Sequence, residues 1–257
     1  MIHPIRHVNI IRYLTPLREG GSLPAITEAD DGFLYVTKFR GAGQGTKALV
    51  SDFIGGMLAK VSGFYTPELV FCYLDESFGR TEPDEEIQDL LKFSTGLNLG
   101  VHYLSGAITF DPAATEIEPQ IASRIVWLDY LLTNVDRTYK NTNMLVWKGD
   151  LWLIDHGASL YFHHNWDNRK GASEKSFPLI KDHVLFSKLS DIDRANEWML
   201  SKITPEVIDE VVGLLPADWL TAYNVEEGPD SIKREYSDFL KTRIHLVATH
   251  LKSMTNG

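Results

Sequence analysis

Apolar residues in the first third of the chain fall in short alternating runs, and in its second half they recur at helical spacing, so strands are predicted first and helices later. Asp31-Gly-Phe-Leu-Tyr-Val-Thr-Lys-Phe-Arg40 begins at a turn and runs through β-formers, with Lys38 near its end. Gly41-Ala-Gly-Gln-Gly45 breaks that run. Ala48 to Val61 follows as a helix, with Leu49, Phe53, Leu58 and Val61 on or near one face and Gly63 beyond its end. Thr66-Pro-Glu opens the next strand, Leu69 to Leu74, and Asp75-Glu-Ser-Phe-Gly-Arg80 is a polar connection after it. The acid-rich residues from Arg80 to Asp89 read as a solvated loop leading into Ile87–Leu91. Ser94-Thr-Gly-Leu-Asn-Leu-Gly100 reads as a polar, glycine-punctuated stretch that approaches a cleft from the C-terminal side.

Further along, Ile121, Ile125, Leu128 and Leu132 form the stripe of a core helix. Met144-Leu-Val-Trp147, Lys148-Gly-Asp150 and Leu151-Trp-Leu-Ile154 predict a tight hairpin. From about Asp191 the pattern is helical, over Ala195–Leu200, a segment capped by Thr204 with Pro205 at its first position, and Asp230–Leu251. Trp219, Tyr223 and Tyr236 are read as packing residues.

The polar residues between these elements suggest a chemistry. Asp136 is followed five residues later by Asn141, then by Asn143 and the hairpin, and Asp155-His-Gly157 closes the hairpin's apolar run. Helix, polar loop, hairpin and Asp-x-Gly is an order that builds a phosphoryl-transfer site. Asp136 would orient and deprotonate a hydroxyl, while an asparagine and Asp155 would hold the Mg²⁺ that offsets charge on ATP phosphates. Spacing favours Asn141 as the metal ligand, with Asn143 as the alternative. In the same reading Lys38 contacts phosphates and Asp52, one turn into the following helix, positions it. Gly20, Gly21 and Ser22 stand where a phosphate-covering turn should precede the lysine strand. Backbone groups of the connection at Asp75 and Glu76 would face adenine.

The expected architecture is α+β and bilobal, of protein-kinase type. A small strand-rich N-lobe would occupy residues 1–76, and a larger, mostly helical C-lobe residues 77–257.

Composition limits the alternatives. A formal charge of −10 argues against direct nucleic-acid binding over a broad surface. The single Cys72 excludes an intrachain disulfide and, lying in an apolar run, reads as a buried thiol in a reducing, cytoplasmic setting. No apolar stretch approaches the roughly 18 residues of a membrane span, and the N-terminus has no apolar signal-peptide core. His163, His164 and His183 have no recognised zinc spacing.

These motifs resemble those of the HipA-like kinase family, specifically its compact members. The similarity runs through the Lys38 strand, Leu58-Ala-Lys-Val-Ser-Gly-Phe, Thr66-Pro-Glu, Asp75-Glu-Ser-Phe-Gly-Arg, Gly96-Leu-Asn-Leu-Gly, Asn134-Val-Asp-Arg-Thr, Leu153-Ile-Asp-His-Gly and Pro178-Leu-Ile-Lys-Asp-His183. The Asp-Arg-x-x-x-Asn and Ile-Asp-x-Gly pattern is also similar to phosphatidylinositol-kinase-like enzymes. The resemblance implies ATP, Mg²⁺, a Ser/Thr protein substrate, a regulatory partner protein as a further partner class, and Ser22 as an autophosphorylation site. Asp52 departs from the family's usual glutamate by one methylene. A small-molecule kinase of the same fold, or a nucleotide sensor without catalysis, is the competing expectation.

Overall fold

Five short strands close on themselves before the long helices begin. They are β1 (His7–Pro16), β2 (Ala25–Ala29), β3 (Leu34–Lys38), β4 (Leu69–Leu74) and β5 (Gly96–His102), in the order β1-β2-β3-β5-β4, with β1 and β4 pairing in parallel through Val8 and Cys72 to close the barrel. The computed structural model describes residues 2–17, 23–43, 45–79, 83–223 and 228–255. Alternation along each strand puts Val8, Ile10, Ala25, Ala29, Tyr35, Val70 and Cys72 inside the barrel, where Thr27 and Thr37 share a hydroxyl hydrogen bond of 2.7 Å. Burial pushes the Cys72 thiol up to about 12.

The strand-built part is longer than the expected residues 1–76. Helix α2 (Glu85–Phe93), capped by the Asp84 carboxylate, follows β4, and the chain then returns as β5 between β3 and β4. The stretch read as a polar approach to the cleft is therefore a central barrel strand. Its inward residues are Asn98 and Gly100. Asn98 is buried and bonded to Arg40 N at 2.9 Å and Ser94 O at 2.8 Å. A Cβ at Gly100 would meet Cys72 Sγ at 2.3 Å.

Helix α1 (Gly45–Val61) is buried nearly all round because it lies between the barrel and the helical remainder. Phe53 stacks on Phe71 of β4 at 5.4 Å, and Trp219 packs edge-on against both rings while its indole donates to Leu97 O at 2.8 Å. Arg40 reaches Asp218 at 2.8 Å. The helical part centres on α3 (Pro119–Leu132), whose Trp127, Leu128, Tyr130 and Leu131 are fully buried. β6 (Ile108–Thr109), β7 (Met144–Trp147) and β8 (Asp150–Leu153) form a small sheet beside it. Three short 3₁₀ turns carry the chain from Tyr161 to Lys188. Then come α4 (Ile192–Lys202), α5 (Pro205–Gly213), α6 (Pro229–Ile244) and α7 (Val247–Thr255), so the single helix expected over 230–251 is two. Among the described residues no helix is long and apolar enough to cross a membrane.

Candidate active site

Because Tyr35 and Thr37 fill the barrel, alternation turns Lys38 outward at the end of β3, toward α1. Its Nζ lies 2.5 Å from Asp52 Oδ2 on α1 and 2.6 Å from Asp155 Oδ1, just past β8. Asp52 Oδ1 accepts the His156 backbone N–H at 2.7 Å, and Asp155 Oδ1 accepts that of Gly157 at 3.2 Å. Asp155 has a left-handed backbone (φ 51°), and its side chain is 44% exposed, against 4% for Asp52. One ammonium thus serves two carboxylates. Burial works against the Lys38 charge, but Asp155 and Asp52 outweigh it and raise its pKa. Asp155, although desolvation works to raise it, is pulled down to about 2 by Lys38. Burial pushes Asp52 up, and the Asp155 charge adds to that push against Lys38.

α3 ends at Thr133 in a left-handed cap, and the loop that follows folds around Asp136. Asp136 Oδ2 accepts from both Asn141 Nδ2, at 2.7 Å, and Asn143 Nδ2, at 3.1 Å. This turns both carboxamide oxygens away from Asp136. Asn141 is exposed, whereas Asn143 is 7% exposed with φ 46°, and its carbonyl accepts Ile154 N–H at 3.1 Å. That bond ties the loop to the residue before Asp155.

Sequence reasoning passed over the support of this loop. Arg137 is buried; its Nε donates to Asp129 Oδ2 at 2.6 Å, and its Nη1 donates to Asn143 O and, at 3.3 Å, to Ile154 O. Asp129, inside α3, also accepts from Asn134 Nδ2 and His183 Nε2, each at 2.9 Å. One guanidinium therefore joins α3, the Asp136 loop and the strand leading to Asp155. The available signal was an acid inside an apolar helical stripe with an arginine beside Asp136. Burial alone would raise the Asp129 carboxyl, but Arg137 and His183 hold it well below the carboxylate range.

Burial depresses the pKa of three buried histidines, His156, His163 and His183. His183 Nδ1 accepts Leu185 N–H at 2.9 Å, which leaves the proton on Nε2 facing Asp129; burial lowers the ring's pKa. Burial likewise lowers His156 to about 3, and His163, bonded to Tyr236 at 2.7 Å, well below its usual value. A histidine whose folded pKa is depressed contributes stability above its unfolded value near ~6.5, and that contribution is lost as pH falls from there toward the folded value. Stability should therefore drop below pH ~6.5 by up to roughly 1.4 kcal/mol per pH unit for each such ring. Urea midpoints at neutral pH and near pH ~5 check this, and equal midpoints would contradict it.

Gly20, Gly21 and Ser22 lie outside the described residues. Asp75 and Glu76 stand beyond β4 at the end where Leu74 pairs with Gly96, whereas Lys38 pairs with Leu99, about 10 Å further along β5. Asp75 Oδ1 accepts from Ser77 N at 2.9 Å and Ser77 Oγ at 2.5 Å, so it caps its own turn. Among the described residues no three His, Cys, Asp or Glu side chains gather as a metal cluster. The oxygens of Asp155, Asn141 and Asn143 are hard donors of the type Mg²⁺ takes, and so few protein ligands would suit an ion that keeps waters and phosphate oxygens in its shell.

No curated protein matches the chain. Among solved structures, the crystal structure of a Helicobacter pylori proinflammatory kinase, CtkA, aligns over 99% of this chain and 100% of that one, at TM-score 0.59 and 12% identity. A Golgi casein kinase aligns over 99% of this chain and 72% of that one, at TM-score 0.46 and 11% identity. At 12% identity the likeness to CtkA is one of fold, the bilobal kinase fold of a strand-built N-terminal part and a helical C-terminal part. The sequence model of HipA-like kinases matches residues 10–243, from within β1 to the last turn of α6. The chain belongs to the HipA-like kinase family.

Proposed function

We propose that this kinase transfers the γ-phosphoryl group of ATP, with Mg²⁺, to a Ser or Thr hydroxyl of a protein. The carrying observation is Lys38 held at 2.5 and 2.6 Å between Asp52 of α1 and Asp155 beyond β8, which joins the barrel to the helical part at the point where phosphates would lie. Its raised pKa keeps the ammonium charged to meet phosphate oxygens. Asp136 has Oδ2 engaged by the two asparagines, so its Oδ1 faces the acceptor hydroxyl, orients it and takes its proton. Asp155 and Asn141 would hold Mg²⁺, which would supply charge neutralisation at the phosphates. In this reading the lobes meet where the chain leaves β5 after His102, since β5 belongs to the barrel.

A protein acceptor is favoured by the open apolar groove beside the Asp136 loop, lined by Phe110, Ile117, Tyr139, Val184 and Leu185. Val184 N–H donates to Arg137 O at 3.0 Å, so the groove wall is fixed directly to the residue after Asp136. Incubation with MgATP and a mixed protein substrate, followed by phosphopeptide mass spectrometry, tests the reading. Phosphoserine or phosphothreonine should appear with the native chain and not with Asp155→Ala. Phosphate found solely in small molecules would overturn the protein assignment.

The two asparagines should separate by Mg²⁺ titration of ATP turnover. Asn141→Ala should raise the Mg²⁺ requirement by roughly tenfold or more, in line with losses of metal affinity at such sites. Asn143→Ala places alanine at a left-handed φ of 46° and should act through stability, by about 1 kcal/mol. A larger Mg²⁺ shift in Asn143→Ala would reverse the assignment.

A further inference from the structure

α1 runs along the segment that follows Asp155 with three successive polar contacts. Asp52 accepts from His156 N at 2.7 Å, Ser51 Oγ donates to Ser159 O at 2.8 Å, and Lys47 Nζ donates to His163 O at 2.6 Å. One turn after Asp52 comes Gly55, and there the helix and the segment approach more closely than side chains allow. A Cβ at Gly55 would stand 2.4 Å from His156 Cβ and 2.6 Å from His156 Cγ. Ordinary carbon–carbon contact is about 3.5–4.0 Å, so any larger residue there must push α1 away by roughly 1.1–1.6 Å. A methylene adds about 1.5 Å of reach. The two lengths match, so at the present spacing the carboxylate that fits is an aspartate and not a glutamate.

We propose that Gly55 and His156 are positioning residues that set the spacing between α1 and the Asp155 segment, and that Asp52 is the carboxylate length fitted to that spacing. At this distance the short side chain reaches both Lys38 Nζ and His156 N–H. A glutamate must buckle or displace the helix. An alanine at 55 leaves aspartate short of both partners. The proposal deepens the reading of Lys38 as the phosphate-binding lysine and rests on it for its effect on catalysis, while the spacing itself can be measured without turnover.

The test compares Gly55→Ala, Asp52→Glu and the double variant by phosphate transfer, by thermal melting, and by the rate at which a small acylating reagent modifies Lys38, read by peptide mass spectrometry. Each single change should lower transfer by at least ~10-fold. Each should also speed Lys38 acylation by ~10-fold, the change expected when the ammonium loses about one pKa unit of ion-pair support. The double variant should recover transfer and slow acylation relative to either single change, because the added methylene spans the added gap. A merely structural role for Gly55 predicts losses that multiply in the double variant, and that result overturns the proposal. If Gly55→Ala does not melt cooperatively, Asp52→Glu alone decides. The proposal requires it to lose transfer and protect Lys38 less at a nearly native melting temperature, so full transfer with native acylation overturns it. A native chain that transfers no phosphate yet shows the acylation pattern would retain the spacing and reject the kinase reading.

Discussion

Replacing Asp136 by alanine is expected to lower phosphate transfer by at least ~10²-fold while ATP affinity stays near native, because a positioned proton acceptor acts in the transition state and not on nucleotide binding. The expectation rests on the surroundings of the carboxylate. Two asparagine amides, at 2.7 and 3.1 Å, fix one oxygen, and Asn134 Oδ1 holds its backbone N–H at 3.1 Å. Removal therefore deletes an oriented base and also frees Asn141 and Asn143. Calorimetric ATP binding and steady-state turnover of the same preparation separate the two effects. Native turnover in Asp136→Ala would remove it from the chemistry.

The second large effect is on folding. Asp129→Ala should cost about 3–5 kcal/mol, since it leaves the Arg137 guanidinium charged and buried without its carboxylate. The Asp129 and Arg137 side chains are 1% and 0% exposed, so solvent screens neither. Asp129→Ala also leaves the His183 N–H and the Asn134 amide without their acceptor. Urea unfolding measures the loss. Adding Arg137→Met should recover part of it, because the stranded charge is removed. A loss under ~1 kcal/mol for the single change would show that the pair does not hold the loop.

Elements with strong periodicity were readable in the sequence. The α1 stripe of Leu49, Phe53 and Leu58 and the hairpin at Met144–Leu153 follow from spacing that few other structures explain. The pairing of Lys38 with Asp52 was readable because Lys38 ends a recognisable strand and Asp52 lies on the helix that follows it; the direct contact of Lys38 with Asp155 was not. β5 was not. In a barrel this narrow its inward positions are filled by Asn98 and Gly100, so the usual apolar-inside alternation is inverted in appearance. The Asp129–Arg137–His183 cluster was hidden for a related reason. It links three stretches through buried charge, and nothing local in any one of them announces the other two. The break between α6 and α7 has no proline or glycine to mark it. Gly55 carries no sequence signal either, because its meaning lies in the 2.4 Å approach of another segment.

The central claim is that Lys38, Asp52, Asp136 and Asp155 form a working phosphoryl-transfer site. The most direct measurement follows ATP binding and γ-phosphate transfer in one sample as Mg²⁺ is titrated, with Asp136→Ala alongside. The account predicts that the native chain binds and transfers with the same Mg²⁺ dependence, and that Asp136→Ala binds without transferring. Mg²⁺-dependent binding by the native chain with no transfer to any acceptor would contradict it and would make the site a nucleotide sensor.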